Sequence, residues 1–363
     1  MPSMTVKIAV YSICLNEAKH VERWLKATED ADVRVVADTG STDGTVDMLR
    51  EAGVAVSSIS VKPWRFDVAR NAALALVPED VDLCLILDMD EVPEKDFFDK
   101  VRKAYKPEYT RGWIRLHTHN EWSANRLHSR HGYLWIRPCH EVAVPYGGTE
   151  QVHFEVNAHI YHEPDAEKSR KHYLDLLLMA VEENPEDARM WTYLVREYYF
   201  NRNWTQLLAA GEQALELGGW DVERAAIYRW MADAAHELGK IETGIELCKK
   251  GIEELPLEPE PWFHLAHHYY MAERWQELVE TVEECLRKPS PTHYLVDQTI
   301  LKWRAADLGC NGYNKLGDLK KALKMGRRAL KGNPTDPRLR NNVMFIEKEI
   351  NESAQKNRSS GRS

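Results

Sequence analysis

Asp88-Met89-Asp90-Glu91 closes the apolar run Val81-Asp82-Leu83-Cys84-Leu85-Ile86-Leu87. A run of that length ending on two carboxylates one residue apart puts acids at the carboxyl end of a buried strand. In open α/β sheets that edge is where ligands bind. Two carboxylates so close repel one another unless a cation neutralises them. A hard divalent ion with oxygen ligands, shared with a substrate diphosphate, answers that need. Asp-x-Asp also occurs in acidic loops, so the rest of the chain has to decide.

Three other segments carry the same kind of chemistry. Cys14-Leu15-Asn16-Glu17 ends the first apolar run. Ala37-Asp38-Thr39-Gly40-Ser41-Thr42-Asp43-Gly44-Thr45 follows the second. An acid at a strand end, here Asp38, can accept hydrogen bonds from a base or ribose edge, while Gly40 and Gly44 let backbone approach a ligand. Taken alone, the segment reads better as a capped β-to-α turn. Phe66-Asp67-Val68-Ala69-Arg70-Asn71 opens a helix one turn before Arg70, whose guanidinium could reach a phosphate or hold Asp38. In isolation it reads as a surface ion pair.

The elements that must position these residues alternate up to about residue 165. Strand-like Lys7–Leu15, Val33–Ala37, Val54–Val61 and Asp82–Leu87 are separated by helical spacing over Glu17–Glu29, Thr42–Glu51 and Asp67–Leu76. Ser41-Thr42-Asp43 supplies a helix cap. That order implies right-handed crossovers and a mostly parallel, Rossmann-like sheet. Trp113 to His162 is strand-like and turn-rich, a meander that completes the sheet and walls a cleft. Beyond His172 strand signals fade. Trp191/Leu194/Tyr198 is a first, poorly matching copy of a repeat; Tyr228/Met231/Ala232 is followed by Trp262/Leu265/Ala266, which begins 34 residues later, and then by Tyr313/Leu316-Gly317/Ala322.

With 363 residues there is room for two ordinary domains. No run approaches the roughly 18 apolar residues of a membrane span, and the N-terminus lacks a signal-peptide core, so a cytoplasmic location is expected. The six cysteines form no Cys-x-x-Cys pair and read as reduced thiols. A net charge of −9 argues against a nucleic-acid backbone as the main partner.

In this order and spacing, the four segments resemble a family 2 glycosyltransferase of the GT-A fold, densely over residues 6–91. The helical half resembles tetratricopeptide repeats. Tyr133–Glu141 and Ile160-Tyr161-His162 fit the subgroup that carries both. The implied fold is an α/β GT-A domain over 5–165, about four all-α repeats over 166–350 and a disordered tail over 351–363. The resemblance implies that Asp38 contacts the base or ribose, with Glu17 and Asp43 nearby, and that Arg70 secures the nucleotide. Asp90 would bind the divalent ion directly. Asp88 would hold the ribose and ligate through water, and His162 would be a third ligand, favouring Mn²⁺ over Mg²⁺.

The implied reaction inverts the anomeric carbon and moves one hexose from a nucleotide sugar, expected to be UDP-linked. For the base, Glu141 is the first candidate, with His140 beside it and Glu91 as a fallback. Gln-x-x-Arg-Trp, the mark of processive synthases, is missing, which favours a single transfer. The preferred acceptor is a protein or peptide held by the repeats, which in some relatives also mediate dimerisation. A lipid-linked or cell-surface glycan comes next, then a modified nucleobase. The rival classes are a nucleotidyltransferase and a non-catalytic repeat scaffold. Asn16-Glu17, where a glycine-rich loop and lysine would be wanted, speaks against the former. His117, His119, His128 and His131 have chelating spacings, but His117 and His119 share a strand face and are expected to line the acceptor side instead. The Trp and Tyr residues of the helical half are expected to pack helices.

Overall fold

A computed structural model describes residues 6–118, 121–163, 172–290 and 297–360, with side chains to 353. Its contacts divide the chain into two compact units, Met1–Ala180 and Val181–Ser363. The first unit is built on an eight-stranded sheet of β1 (Ile8–Cys14), β2 (Val33–Asp38), β3 (Ala55–Ser58), β4 (Leu83–Ile86), β5 (Glu91–Pro93), β6 (Arg111–His117), β7 (Glu121–Ser129) and β10 (His153–His162). Its order is β3-β2-β1-β4-β7-β6-β10-β5. The first four strands of that order are parallel. β7 runs antiparallel to both β4 and β6. β10 lies parallel to β6 and antiparallel to β5. The sheet is therefore mixed. The expected meander is instead a β6–β7 hairpin inserted beside β4, a long return strand β10, and a separate ribbon of β8 (Tyr133–Ile136) and β9 (Val142–Pro145).

The central parallel strands β1 and β4 are apolar at nearly every position because both faces are covered. On one face Ile8, Val10, Leu83 and Leu85 pack with Trp24 of α1 (Ala18–Ala27) and Phe97 of α4 (Phe97–Ala104). On the other, Ala9, Tyr11 and Ile86 pack with Ala73 of α3 (Phe66–Ala75) and with Tyr133 and Trp135 of the ribbon. β3 follows α2 (Thr45–Glu51) at the sheet edge.

Under the ribbon lies a buried polar chain. Trp135 Nε1 donates to Tyr11 Oη at 2.9 Å, and Tyr11 Oη lies 2.6 Å from His128 Nε2. His128 Nδ1 is 2.9 Å from the Ser129 carbonyl, which can only accept. The imidazole thus carries its proton on Nδ1, and Tyr11 donates to Nε2. Burial depresses the His128 pKa to about 4. In the unfolded chain the value is about 6.5. Between those limits only the unfolded chain takes the proton, so stability is intact above pH 6.5 and falls as pH drops towards 4. The loss is on the order of 3 kcal/mol. Urea midpoints of His128→Gln should therefore change less between pH 7 and pH 4 than those of the wild type. Parallel pH profiles would refute this titration.

α5 (Tyr173–Glu183) crosses the boundary between the units. The second unit is a tetratricopeptide-like array of helical hairpins. These are α6 (Ala188–Phe200) with α7 (Trp204–Glu216), α8 (Asp221–Glu237) with α9 (Ile241–Glu254), α10 (Pro259–Met271) with α11 (Trp275–Cys285), and α12 (Ala305–Lys315) with α13 (Leu319–Gly332). The repeat is written into the caps. Arg202, Gly239, Glu273 and Gly317 all adopt positive φ just after the first helix of each pair. In each case the next N–H bonds back five residues: Asn203 to Tyr198, Lys240 to Ala235, Arg274 to Tyr269 and Asp318 to Tyr313. This is the Schellman closure. Trp191 and Trp262 likewise donate to Pro185 and Pro256, each six residues back. The first repeat, weak in sequence, is thus equivalent in structure. α14 (Pro337–Ser360) continues past Ile350 into the segment expected to be disordered, because Asn351–Ser360 contains no proline or glycine to stop it. No helix among the described residues is long and apolar enough to cross a membrane.

Candidate functional site

The four chemistry-bearing segments meet at the carboxyl ends of β1, β2 and β4. Asn16 takes a left-handed conformation (φ 56°), which turns the chain at the end of β1. Its Oδ1 accepts from Thr42 N–H at 2.8 Å and its N–H donates to Ser41 Oγ at 2.8 Å, tying the first two loops together. Asp38 ends β2 buried, its carboxylate accepting from the Gly40 and Ser41 N–H groups at 3.1 Å. Gly40 (φ 116°) and Gly44 (φ 91°) meet nothing where a Cβ would stand, so backbone conformation alone demands glycine there. Asp43 Oδ2 accepts from Ala18 N–H at 3.0 Å and Oδ1 from Thr45 N–H at 3.1 Å, pinning the starts of α1 and α2. Desolvation works against the Asp43 charge, but these hydrogen bonds hold its carboxyl below the usual range. Glu17 is buried at the start of α1, its N–H donating to Thr45 Oγ1 at 2.8 Å. Asp38 and Asp43 thus organise the loops with the oxygens expected to meet a nucleotide, as the capped-turn reading requires.

Arg70 does not hold Asp38. It is buried in α3 and grips Asp88 through Nη1 and Nη2 at 2.8 and 3.2 Å, and Glu141 through Nε at 2.5 Å. Its guanidinium also lies 5.4 Å from the Trp135 ring centre. Burial works against its charge, but Asp88 and Glu141 outweigh that and hold the guanidinium well above its ordinary range. Fork geometry explains the choice: a planar donor set matches two carboxylates on either side of it. The loop carrying Glu141 is fixed from the same helix. Phe66 N–H donates to the Pro138 carbonyl, and Asn71 exchanges two 2.8 Å bonds with the Trp135 backbone. Arg137 (φ 80°) and His140 (φ 50°) sit there in a conformation rare for side chains of their size. The His140 ring packs edge-on to Tyr173, 5.7 Å away.

Beyond β4 the acids form a self-closed turn. Glu91 N–H donates to the Asp88 carbonyl and Asp88 N–H to Glu91 Oε2, both at 3.0 Å. Glu91 is 2% exposed, with Oε1 bonded to Arg126 of β7. Burial holds its carboxyl above the usual range, an effect that Arg126 opposes and Asp88 reinforces. Both oxygens being taken, Glu91 is a structural acid and a poor fallback base. Asp90 has its backbone carbonyl bonded by Glu163 N–H, and its Oδ2 faces His162 Nε2 at 3.5 Å. β10 brings His162 there by pairing with Glu91 in β5. The hydrogen bond that the His162 ring donates to Asp90 raises its pKa against burial, and Glu91 and Asp88 add to the rise.

Among the described residues no three His, Cys, Asp or Glu side chains form a ready metal cage. Asp90 and His162 make a two-donor set of carboxylate and imidazole, which suits a divalent ion whose other positions are filled by phosphate oxygens and water. The other histidines disperse. His117 lies 2.6 Å from His159 and stacks on Tyr161, on the sheet face away from the core. His128 is in the core, and His131 bonds the Glu79 carbonyl. His119 lies outside the described residues. All six cysteines are free and buried, and burial pushes the Cys84 thiol up to about 12. Arg126 is missed in the sequence, and Asn71 is named there only as the end of the Arg70 segment, without a role. Their partners lie 35 and 64 residues away, and no local pattern announces them.

No family model matches the chain, and no curated protein does. Solved structures do match. MamA is 13% identical, covering 44% of this chain and 81% of its own, at a TM-score of 0.36. YrrB, described as a TPR protein with an unusual peptide-binding site, is 15% identical over 49% of this chain and 83% of its own, at 0.38. A thermophilic TPR protein of Thermus thermophilus is 18% identical over 48% and 89%, at 0.36. Likeness of this degree says nothing of chemistry, so the site has to be read from its own residues.

Proposed function

We propose that the chain is a metal-dependent, inverting glycosyltransferase of the GT-A type that moves one hexose from a nucleotide sugar, UDP-linked, to a protein or peptide. The observation that supports it best is the facing pair of Asp90 and His162, 3.5 Å apart, beside Asp88 held by Arg70 at the ends of the parallel strands. A divalent ion, Mn²⁺ before Mg²⁺, would be held by Asp90 and His162 and would supply charge for the leaving diphosphate. Arg70 fixes the orientation of Asp88, which faces the ribose. Glu141 stands across from these acids with Oε1 on Arg70 Nε. Its Oε2 takes the acceptor hydroxyl proton while the acceptor oxygen bonds to the anomeric carbon and the bond to phosphate breaks, its electron pair leaving on the diphosphate. His140 shapes that loop through its backbone turn.

One feature favours the non-catalytic scaffold: Arg70 already pairs with both Asp88 and Glu141. A melting panel separates the readings. UDP-, GDP-, dTDP- and CMP-sugars and the nucleoside triphosphates are tested with and without Mn²⁺. A UDP-sugar with Mn²⁺ at a hundred times its Kd should stabilise the fold by about 2.7 kcal/mol. Silence from every nucleotide sugar would leave the scaffold, and a response confined to nucleoside triphosphates would give the nucleotidyltransferase.

A further inference from the structure

Within the helical unit a cavity of about 280 Å³ opens among α6, α7, α8, α10 and the π-helical turn Ile300–Arg304. Its walls include the rings of Tyr199, Trp204 and Phe263, and Asp233 and Glu237 bring carboxylates to it. Asp233 is held in place: Tyr199 Oη donates to Oδ2 at 2.9 Å, and His268 Nε2, fully buried, lies 3.2 Å from Oδ1. Burial and the Asp233 charge push the Tyr199 phenol up to about 12, so it stays a donor. Among the described residues neither Asp233 nor Glu237 pairs with a lysine or arginine. The two guanidiniums nearby are committed elsewhere. Arg304 lies 4.6 Å from the Phe263 ring centre and pairs with Asp297, and Arg229 pairs with Glu260. His264 and His267, also in the lining, are held towards the neutral form by burial.

Aromatic walls around two carboxylates that pair with no lysine or arginine among the described residues complement a cation with an apolar stem. The volume is just under the range of roughly 300–1,000 Å³ that whole small ligands occupy, which suits one inserted side chain. We propose that this cavity binds a lysine or arginine side chain presented on a polypeptide, the charge meeting Asp233 and Glu237 and the stem lying along Tyr199, Trp204 and Phe263. The inference uses the helical unit alone and needs no nucleotide sugar, so it stands or falls apart from the transfer reaction.

The test is calorimetric titration of the full chain, without donor or metal, with short Gly/Ser peptides carrying one central lysine, arginine, acetyl-lysine or glutamate, and with free lysine amide. Lysine and arginine peptides should bind, quenching tryptophan fluorescence, and acetylation should weaken binding about tenfold or more. Asp233→Asn keeps an oxygen for Tyr199 and should cause a similar loss with an unchanged melting curve. Glu237→Gln, on an exposed position, should weaken binding without touching the fold. Equal binding of the acetylated peptide, or preference for the glutamate peptide through Arg304, would overturn the proposal. Binding of lysine amide as tight as that of the peptide would overturn the polypeptide occupant.

Discussion

Asp90→Asn should lower the proposed Mn²⁺-dependent release of UDP from a UDP-sugar by about a hundredfold or more, and the protein should melt where the wild type does. Losing a group that merely orients a metal ligand costs about 10–100-fold, and losing the ligand itself should cost no less. The fold is spared because the change is isosteric, and the hydrogen bond that fixes this residue in the turn runs from Glu163 N–H to its backbone carbonyl. His162→Gln should fall in the same direction, since its Nε2 is the partner that faces Asp90. Both variants should need more Mn²⁺ for half-maximal rate, and EDTA should silence the wild type until Mn²⁺ is restored. Turnover that survives both EDTA and Asp90→Asn would remove the metal from the proposed reaction while leaving the fold as described. Asp88→Asn is the informative contrast. Its carboxylate is already gripped by Arg70, so its loss should weaken donor affinity more than Mn²⁺ dependence.

The parts of this arrangement that could be read in the sequence are those fixed by local physics. Ile8–Cys14 and Leu83–Ile86 are apolar at successive positions because both faces are covered, and such runs stand out against any background. Asp88 and Asp90 follow directly from the end of one of them. The caps were half legible. Gly239 and Gly317 mark helix ends as glycine should, but Arg202 and Glu273 do the same work at positive φ and give no such signal. The first and third repeats therefore lack the glycine signal in sequence, although their caps are equivalent in structure. Long-range pairings were not legible at all. Arg70 choosing Asp88 and Glu141 over Asp38 depends on the ribbon folding back onto α3, across 71 residues of chain. β10 alternates buried Phe154, Val156, Ala158 and Ile160 with exposed polar residues, which announces a strand but not its parallel pairing with β6. The antiparallel pairing of β10 with β5 then carries His162 to Asp90.

Arg70→Ala should be the most destabilising single change in the first unit's polar interior. The side chain is 7% exposed and compensates two carboxylates, of which Glu141 is 12% and Asp88 32% exposed. Removing one partner of a buried pair leaves the other charge without compensation, and costs about 3–5 kcal/mol. The part owed to Asp88 is discounted because water reaches it. For a unit of this size that is a fall of about 10 °C in the melting transition of the N-terminal part. Arg70→Lys separates stability from positioning. A lysine keeps the charge but offers one point donor where the guanidinium spans Asp88 with two nitrogens and Glu141 with a third. Most of the stability should return, while donor affinity measured well below melting stays weakened, because Asp88 is free to rotate. If Arg70 were only a structural counter-ion, the lysine variant would bind donor as tightly as the wild type. If Arg70→Ala melted unchanged, the three-way pairing at the centre of the site would be absent in solution, and Glu141 would lose its anchor as the proposed base.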